Sequence, residues 1–108
     1  MPRGTLGEFE KLVLLALLRL DSESYGAMIL NEIEERTGTT SSSGALYVAL
    51  RRLEKRGLLT SRFADPTPER GGRAKRYFKV EPTAIRLLQQ SHRRWSQMAD
   101  GLEDVLGT

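Results

Sequence analysis

The sequence predicts a mainly α-helical fold with a small β component (α+β), a winged helix-turn-helix with a three-helix core, a two-stranded wing and a long C-terminal helix. A serine run leads into a helical stretch at residues 43–56, the layout of a helix-turn-helix. Two short strand-like segments, residues 58–64 and 75–80, flank a loop rich in glycine and arginine, which predicts a hairpin. Apolar residues in 83–106 recur every three or four positions, which predicts the final helix.

The first helix is predicted over residues 5–20. Thr5 and Glu8 have the spacing of a capping box at its start. Residues 12–18 are all apolar, and a helix that is apolar all round must be covered on more than one side. The second cover is either a partner subunit or the rest of the same chain.

Glycines mark the ends of the next two helices. The second is predicted over residues 25–36 and ends near Gly38, and the third stops at Gly57. The third helix buries one stripe with a helical spacing. Its members are Leu46, Leu50 and Leu53. In the second strand, Phe78 and Val80 are expected to face the same side.

The final helix is predicted to start with Thr83 as its cap and to end near residue 106. Its apolar spacing is typical of a coiled-coil seam. The seam residues are Ile85, Leu88, His92, Trp95, Ala99, Leu102 and Leu106. A helix of this length spans about 36 Å, more than the core of so small a domain needs, so we expect it to pair with a second copy. Gly101 predicts a bend near its end.

Basic residues are concentrated in one part of the chain. The net charge is +3, but residues 51–76 alone carry +6, residues 1–50 carry −3 and residues 77–108 are neutral. One basic block beside an acidic half indicates a surface for a polyanion, with an ordinary solvated surface as the alternative.

The start of the third helix is the first candidate for nucleic-acid binding. Unpaired amides at a helix N-terminus attract phosphate, and small residues there keep the first turn slender enough for a major groove. The candidates are Ser42, Ser43, Gly44, Tyr47 and Arg51. The alternative is that the serines only cap the helix and Tyr47 packs inside.

The hairpin is the second candidate. Cations beside a tight glycine tip suit a minor groove or adjacent phosphates. The candidates are Gly72, Arg73, Lys75 and Arg76. The alternative is an exposed hairpin without a partner.

The seam contains the one tryptophan and the one histidine of the chain. Trp95 is either an aromatic plate for a flat effector or ordinary interface core. His92 is either a pH switch or a residue at the edge of the seam. Leu88 and Leu102 complete this candidate effector and dimer interface.

Other functional classes find little support in the sequence. It has no cysteine, one histidine and no metal-ligand spacing, so we expect neither an enzyme nor a cofactor or metal site. The longest apolar run has seven residues, against about 20 for a membrane span, so we expect a cytoplasmic protein without a membrane partner.

Five segments, taken together and in this order, resemble the PadR family of bacterial transcriptional regulators. They are residues 10–18, 25–26, 44–47, 50–58 and 76–80. The resemblance covers about residues 6–90 and implies a homodimeric winged-helix repressor. It implies that the third helix is the recognition helix and that the last helix pairs with its mate and with the partner's first helix.

The resemblance also assigns roles by position. It adds Tyr25 to the residues of the third helix that approach DNA, and it assigns the hairpin candidates to the wing. Many family members have Thr at position 45 and Pro at position 48, where this chain has Ala45 and Val48. Some members sense small aromatic compounds, which makes Trp95 a candidate for contact with such an effector.

Two hypotheses of different kinds follow. The first is a homodimeric repressor with a DNA-binding domain at residues 1–81 and a dimerisation helix at 82–108, which binds double-stranded DNA at a palindromic operator and is relieved by an effector. The alternative is a winged-helix module that binds a protein partner and not DNA.

Overall fold

The computed structural model describes residues 5–64 and 75–107 as a helical domain with a small sheet. The elements are α1 (Glu8–Arg19), β1 (Glu23–Tyr25), α2 (Gly26–Thr37), α3 (Ser43–Lys55), β2 (Leu59–Phe63), β3 (Arg76–Val80), α4 (Pro82–Ala99) and α5 (Glu103–Leu106). The predicted winged helix-turn-helix is confirmed, with α1, α2 and α3 as its three-helix core.

The first helix begins later than the capping pattern suggested. Gly7 is the N-cap of α1, and its amide donates to the carboxylate of Glu10 at 2.8 Å. The predicted box of Thr5 and Glu8 is therefore wrong by two residues. The carbonyl of Thr5 instead accepts a hydrogen bond from Arg56 at 2.8 Å, and this guanidinium also lies 3.6 Å from Glu10. These contacts fasten the start of α1 to the end of α3.

The sheet has three antiparallel strands in the order β1-β3-β2. The hairpin strands pair from Leu59 opposite Val80 to Phe63 opposite Arg76. The two hairpin strands were predicted from the sequence, but β1 was not. Asp21 and Ser22 form a turn, with φ of 64° and 71°, and the next three residues pair with the edge of β3 that β2 leaves free.

The core lies between the three helices and the inner face of the sheet. Its largest fully buried side chains are Phe78, Leu14, Leu17, Ile29, Leu46, Leu50, Leu53, Leu59 and Val13. The predicted stripe of α3 is confirmed, as is the shared inward direction of Phe78 and Val80. The apolar α1 is covered mainly by its own chain, but Leu15 remains 47% exposed on the side that faces α4.

The C-terminal region is two helices and not one. Glu81, the single residue between β3 and α4, is the N-cap of α4, so the predicted cap at Thr83 is wrong. The Thr83 hydroxyl instead donates to the carbonyl of Gly57 at 3.0 Å. The helix ends at Ala99, where Asp100 leaves the helical conformation with a ψ of 129° and Gly101 adopts a φ of 86°, and α5 follows after this turn.

Among the residues that the structure covers, no helix combines the length and the apolar character needed to span a bilayer.

Candidate nucleic-acid interface

The N-terminus of α3 is slender and exposed. Ser42 is its N-cap, and the Ser42 hydroxyl accepts a hydrogen bond from the amide of Ala45 at 3.0 Å. Ser43, Gly44 and Ala45 are all exposed. One serine therefore caps the helix, and the next residues leave its first turn open to a partner.

The solvent face of α3 changes character along its length. Gly44, Val48, Arg51 and Lys55 are exposed and, at helical spacing, lie opposite the buried stripe. Arg52 is exposed beside them. The face thus begins with small residues, continues with one valine and ends with cations. Val48 was not among the predicted site residues, although the spacing that placed Leu46 and Leu50 in the core also placed Val48 opposite them.

Tyr47 lies at the flank of this face. Its ring packs edge-on against Phe78 with centroids 6.2 Å apart, and it is still 40% exposed. A Cβ added to Gly26, the first residue of α2, would lie 2.8 Å from the Tyr47 hydroxyl. The absence of a side chain at Gly26 thus leaves room for the Tyr47 ring between the sheet and the start of α2.

Of the predicted hairpin cations, Lys75 and Arg76 lie in the described part of the chain, on opposite faces of the sheet. Lys75 Nζ lies 3.9 Å above the ring of Tyr25, on the outer face. The Arg76 guanidinium lies on the inner face, 3.0 Å from the carboxylate of Glu54 on α3. Gly72 and Arg73 lie outside the described residues.

Arg76 is engaged in a network that joins the sheet to α3. Its guanidinium donates to the Ser61 hydroxyl at 3.0 and 3.2 Å, and that hydroxyl donates to Glu54 at 2.6 Å. The group also lies 5.3 Å from the centre of the Phe78 ring. In this arrangement Arg76 holds the hairpin against α3, and its charge is partly offset by Glu54.

A second ion pair lies on the outer face of the sheet. The guanidinium of Arg62 donates two hydrogen bonds to Glu23, at 2.9 and 3.3 Å, and lies 5.0 Å from the Tyr77 ring centre. Tyr77 in turn meets Tyr25 edge-on at 5.4 Å. The hydrogen bond from Arg62 lowers the pKa of Glu23 below its usual value.

A separate groove of about 540 Å³ runs between α1 and α4. Leu88, His92 and Trp95 line it from α4, and Leu15 lines it from α1. Trp95 is 56% exposed. The predicted effector and dimer residues are thus brought together except for Leu102, which follows the turn at Gly101 and is not part of the lining.

Within the described ranges, no cluster of three or more His, Cys, Asp or Glu residues is placed to hold a metal ion.

The helical core, the small sheet and the exposed third helix define a winged-helix protein. Residues 14–90 match the model of the Transcriptional regulator PadR-like family. The chain therefore belongs to the PadR family of transcriptional regulators, which are not enzymes.

Individual relatives agree with this assignment. The chain is 36% identical over 89 residues to Transcriptional regulator Rv3488 of Mycobacterium tuberculosis, with 81% of this chain and 74% of the relative covered. A PadR family transcriptional regulator from Eggerthella lenta superposes with a TM-score of 0.71 at 27% identity, with 94% and 88% covered. A winged-helix DNA-binding protein of STIV shares the fold, with a TM-score of 0.70 at 14% identity and with 90% and 97% covered.

Proposed function

We propose that the protein is a homodimeric repressor that binds a palindromic operator in double-stranded DNA through α3 and the hairpin. The observation that carries the proposal is the solvent face of α3, which begins with small residues and ends with cations. In this proposal residues 1–81 bind DNA, residues 82–108 pair the two subunits, and the protein acts in the cytoplasm, where it meets the chromosome.

The dimensions of α3 suit a major groove. A helix with its side chains is about 10–12 Å across, and the groove is about 12 Å wide. The small first turn then allows the helix to approach the base edges, while Arg51, Arg52 and Lys55 lie where phosphates would pass. The proposed DNA contacts are Tyr25, Ser42, Ser43, Gly44, Tyr47 and Arg51, with Gly72, Arg73 and Lys75 at the wing. Arg76 serves the wing by holding it against α3.

The C-terminal helices carry the apolar surface that a second subunit would cover. Single exposed apolar residues are ordinary, but a contiguous set of them marks an interaction site. The exposed apolar residues of this region, with one from α1, are Leu15, Ile85, Trp95, Met98, Leu102, Val105 and Leu106. A twofold pair of such subunits would present two α3 helices to half-sites about one helical turn apart.

The groove between α1 and α4 supports an effector as part of the same proposal. Its volume falls within the range of small-molecule sites, and the exposed face of Trp95 suits a flat aromatic compound. Since the chain has one tryptophan, quenching of its fluorescence by planar compounds would report directly on this groove.

The decisive experiment is footprinting and mobility shift on the DNA upstream of the protein's own gene, followed by a reporter assay with the protected promoter. We expect a protected palindrome and lower reporter expression when the protein is present. Binding no tighter than to unrelated DNA of the same length would contradict the proposal and favour the protein-partner alternative. Raised reporter expression would contradict the repressor role but not the DNA-binding function.

A further inference from the structure

Val48 is an exposed apolar residue in the middle of the solvent face of α3. Its side chain is 45% exposed, whereas Leu46, Ala49 and Leu50 are buried on the other side of the helix. β-branched residues do not favour helix formation, and Val48 is not part of the hydrophobic core. Neither helix stability nor core packing therefore explains a valine at this position.

In the first two turns of α3, Tyr47 and Val48 are the exposed residues with side chains larger than that of serine. Ser43, Gly44 and Ala45 are too short to reach far beyond the helix surface. Tyr47 is turned aside, against Phe78 and over Gly26. Val48 lies about 9 Å along the axis from the N-cap, in the second turn, so a helix that lies along the major groove would bring it to the base edges.

The chemistry of an isopropyl group restricts what it recognises. It neither donates nor accepts a hydrogen bond, and the one apolar feature that base pairs present in the major groove is the 5-methyl group of thymine. Ala45, one turn earlier, extends the apolar surface, and both residues line a depression of about 470 Å³ between α1 and α3. The cations of the following turn, Arg51 and Arg52, lie where they would contact the phosphates on either side.

Building on the proposed DNA-binding function, we propose that Val48 is a specificity-determining residue that contacts the 5-methyl group of a thymine in each operator half-site. Ala45 widens this contact. Arg51 and Arg52 supply affinity without distinguishing thymine from other bases at that position.

The test begins with selection of the preferred sequence by the full-length protein from a pool of random duplex DNA. Each thymine of the selected site is then replaced singly by deoxyuridine, which lacks only the methyl group, and Kd is measured by fluorescence anisotropy. We expect one thymine in each half-site, related by the twofold symmetry, to be sensitive to this replacement. Replacing either one should raise Kd about fourfold, the effect of losing one buried methyl group. Replacing both should weaken binding about 16-fold.

Val48→Ala is the matching protein variant. Because Val48 is exposed, the variant should fold, and circular dichroism checks this. It should bind the thymine and deoxyuridine duplexes equally well. The control is Met28→Ala, which removes another exposed apolar side chain, on α2, and should keep the preference for thymine.

The outcomes separate this inference from the function on which it rests. If a site is selected but no thymine methyl group matters, or if Val48→Ala keeps the full preference, the role of Val48 is overturned while DNA binding stands. If no sequence is enriched over the starting pool, sequence-specific DNA binding fails and the role of Val48 fails with it.

Discussion

The absence of a Cβ atom at Gly26 determines where the neighbouring Tyr47 ring lies. An added Cβ would lie 2.8 Å from the hydroxyl and 3.2 Å from Cζ of Tyr47. Since Tyr47 is partly exposed, the ring would turn outward and leave its contact with Phe78. The identity of Gly26 is therefore tied to the placement of a candidate DNA contact and not to an unusual backbone conformation.

We predict that Gly26→Ala lowers the free energy of unfolding by on the order of 1 kcal/mol, because the edge-on contact between Tyr47 and Phe78 would be lost. The matched control is Gly44→Ala on α3, where the new Cβ would meet nothing closer than the Ser42 hydroxyl at 3.8 Å. That variant should be as stable as the parent or more stable, because alanine is the better helix former. Urea denaturation measures both, and equal stability of the two variants would contradict the role assigned to Gly26.

The pair of Glu23 and Arg62 makes a small part of the stability dependent on pH. Because the folded-state pKa of Glu23 is lowered, the pair stabilises the fold above the usual carboxyl pKa, and this contribution is lost as the pH falls through the folded-state value. Glu23→Gln should therefore lower the urea midpoint at pH 7 and have no effect at strongly acid pH.

Glu34→Gln, which removes an exposed carboxylate on α2, is the control for Glu23→Gln. It should leave the pH dependence of the parent unchanged. A Glu23→Gln effect of the same size at both pH values would show that the ion pair is not its source.

At the scale of elements, the network of Glu54, Ser61 and Arg76 joins α3 to the hairpin. Arg76 was expected to serve the wing through its charge, but its guanidinium lies against a carboxylate of α3. The cations therefore have two different environments in the structure. Arg51 faces solvent, whereas Arg76 connects α3 to the hairpin.

We predict that Arg51→Ala and Arg76→Ala affect DNA binding differently. Loss of a phosphate contact at Arg51 should reduce the slope of log K against log salt by about 0.9, whereas Arg76→Ala should change the slope little. Arg76→Ala should instead lower the stability by on the order of 1 kcal/mol or less, because the pair is partly exposed and screened by solvent. Anisotropy titrations at several salt concentrations measure the slopes, and equal slope changes would disprove the distinction.

The sequence predicted those elements whose cause is local. The buried stripe of α3, its serine cap and its glycine stop depend on residues within a few positions of one another. β1 could not be predicted in this way, because Glu23–Tyr25 is extended only through its pairing with β3, more than fifty residues later. The same limit applies to Arg76, whose charge was evident but whose partner on α3 was not.

Helix ends were predicted less well than helix interiors. Two capping patterns compete at the start of α1, and the one completed by Glu10 also gains the contact with Arg56. At the C-terminus the apolar spacing of the seam continues past Gly101, but the helix does not. A bend was expected there, whereas the structure has a full break between α4 and α5.

For the whole molecule, the proposed dimer depends on the apolar surface of α4 and α5. Leu88 packs against the core, so its substitution would combine effects on folding with effects on association. Trp95 and Met98 are 56% and 81% exposed and are better sites for a test.

We predict that a variant with both Trp95→Glu and Met98→Glu is a folded monomer, because two buried charges would oppose the association of the apolar faces. Light scattering after size-exclusion chromatography should give the mass of one chain for this variant and of two chains for the parent. Arg93→Glu, an exposed position about 160° around α4 from Trp95 and about 140° from Met98, is the control and should stay dimeric. A double variant that keeps the mass of two chains would place the interface elsewhere.

A single residue, Glu81, connects β3 to α4, so the connection to the C-terminal helix is short. Glu81 donates its amide to Leu58 and accepts a hydrogen bond from Thr60, while Thr83 bonds to Gly57. A movement of α4 is therefore transmitted to the central strand β3 and to the end of α3, because no flexible linker lies between them. In the proposed dimer, a compound that tilts α4 would therefore move each DNA-binding domain as a rigid body. The distance between the two α3 helices would change, while each domain kept its structure.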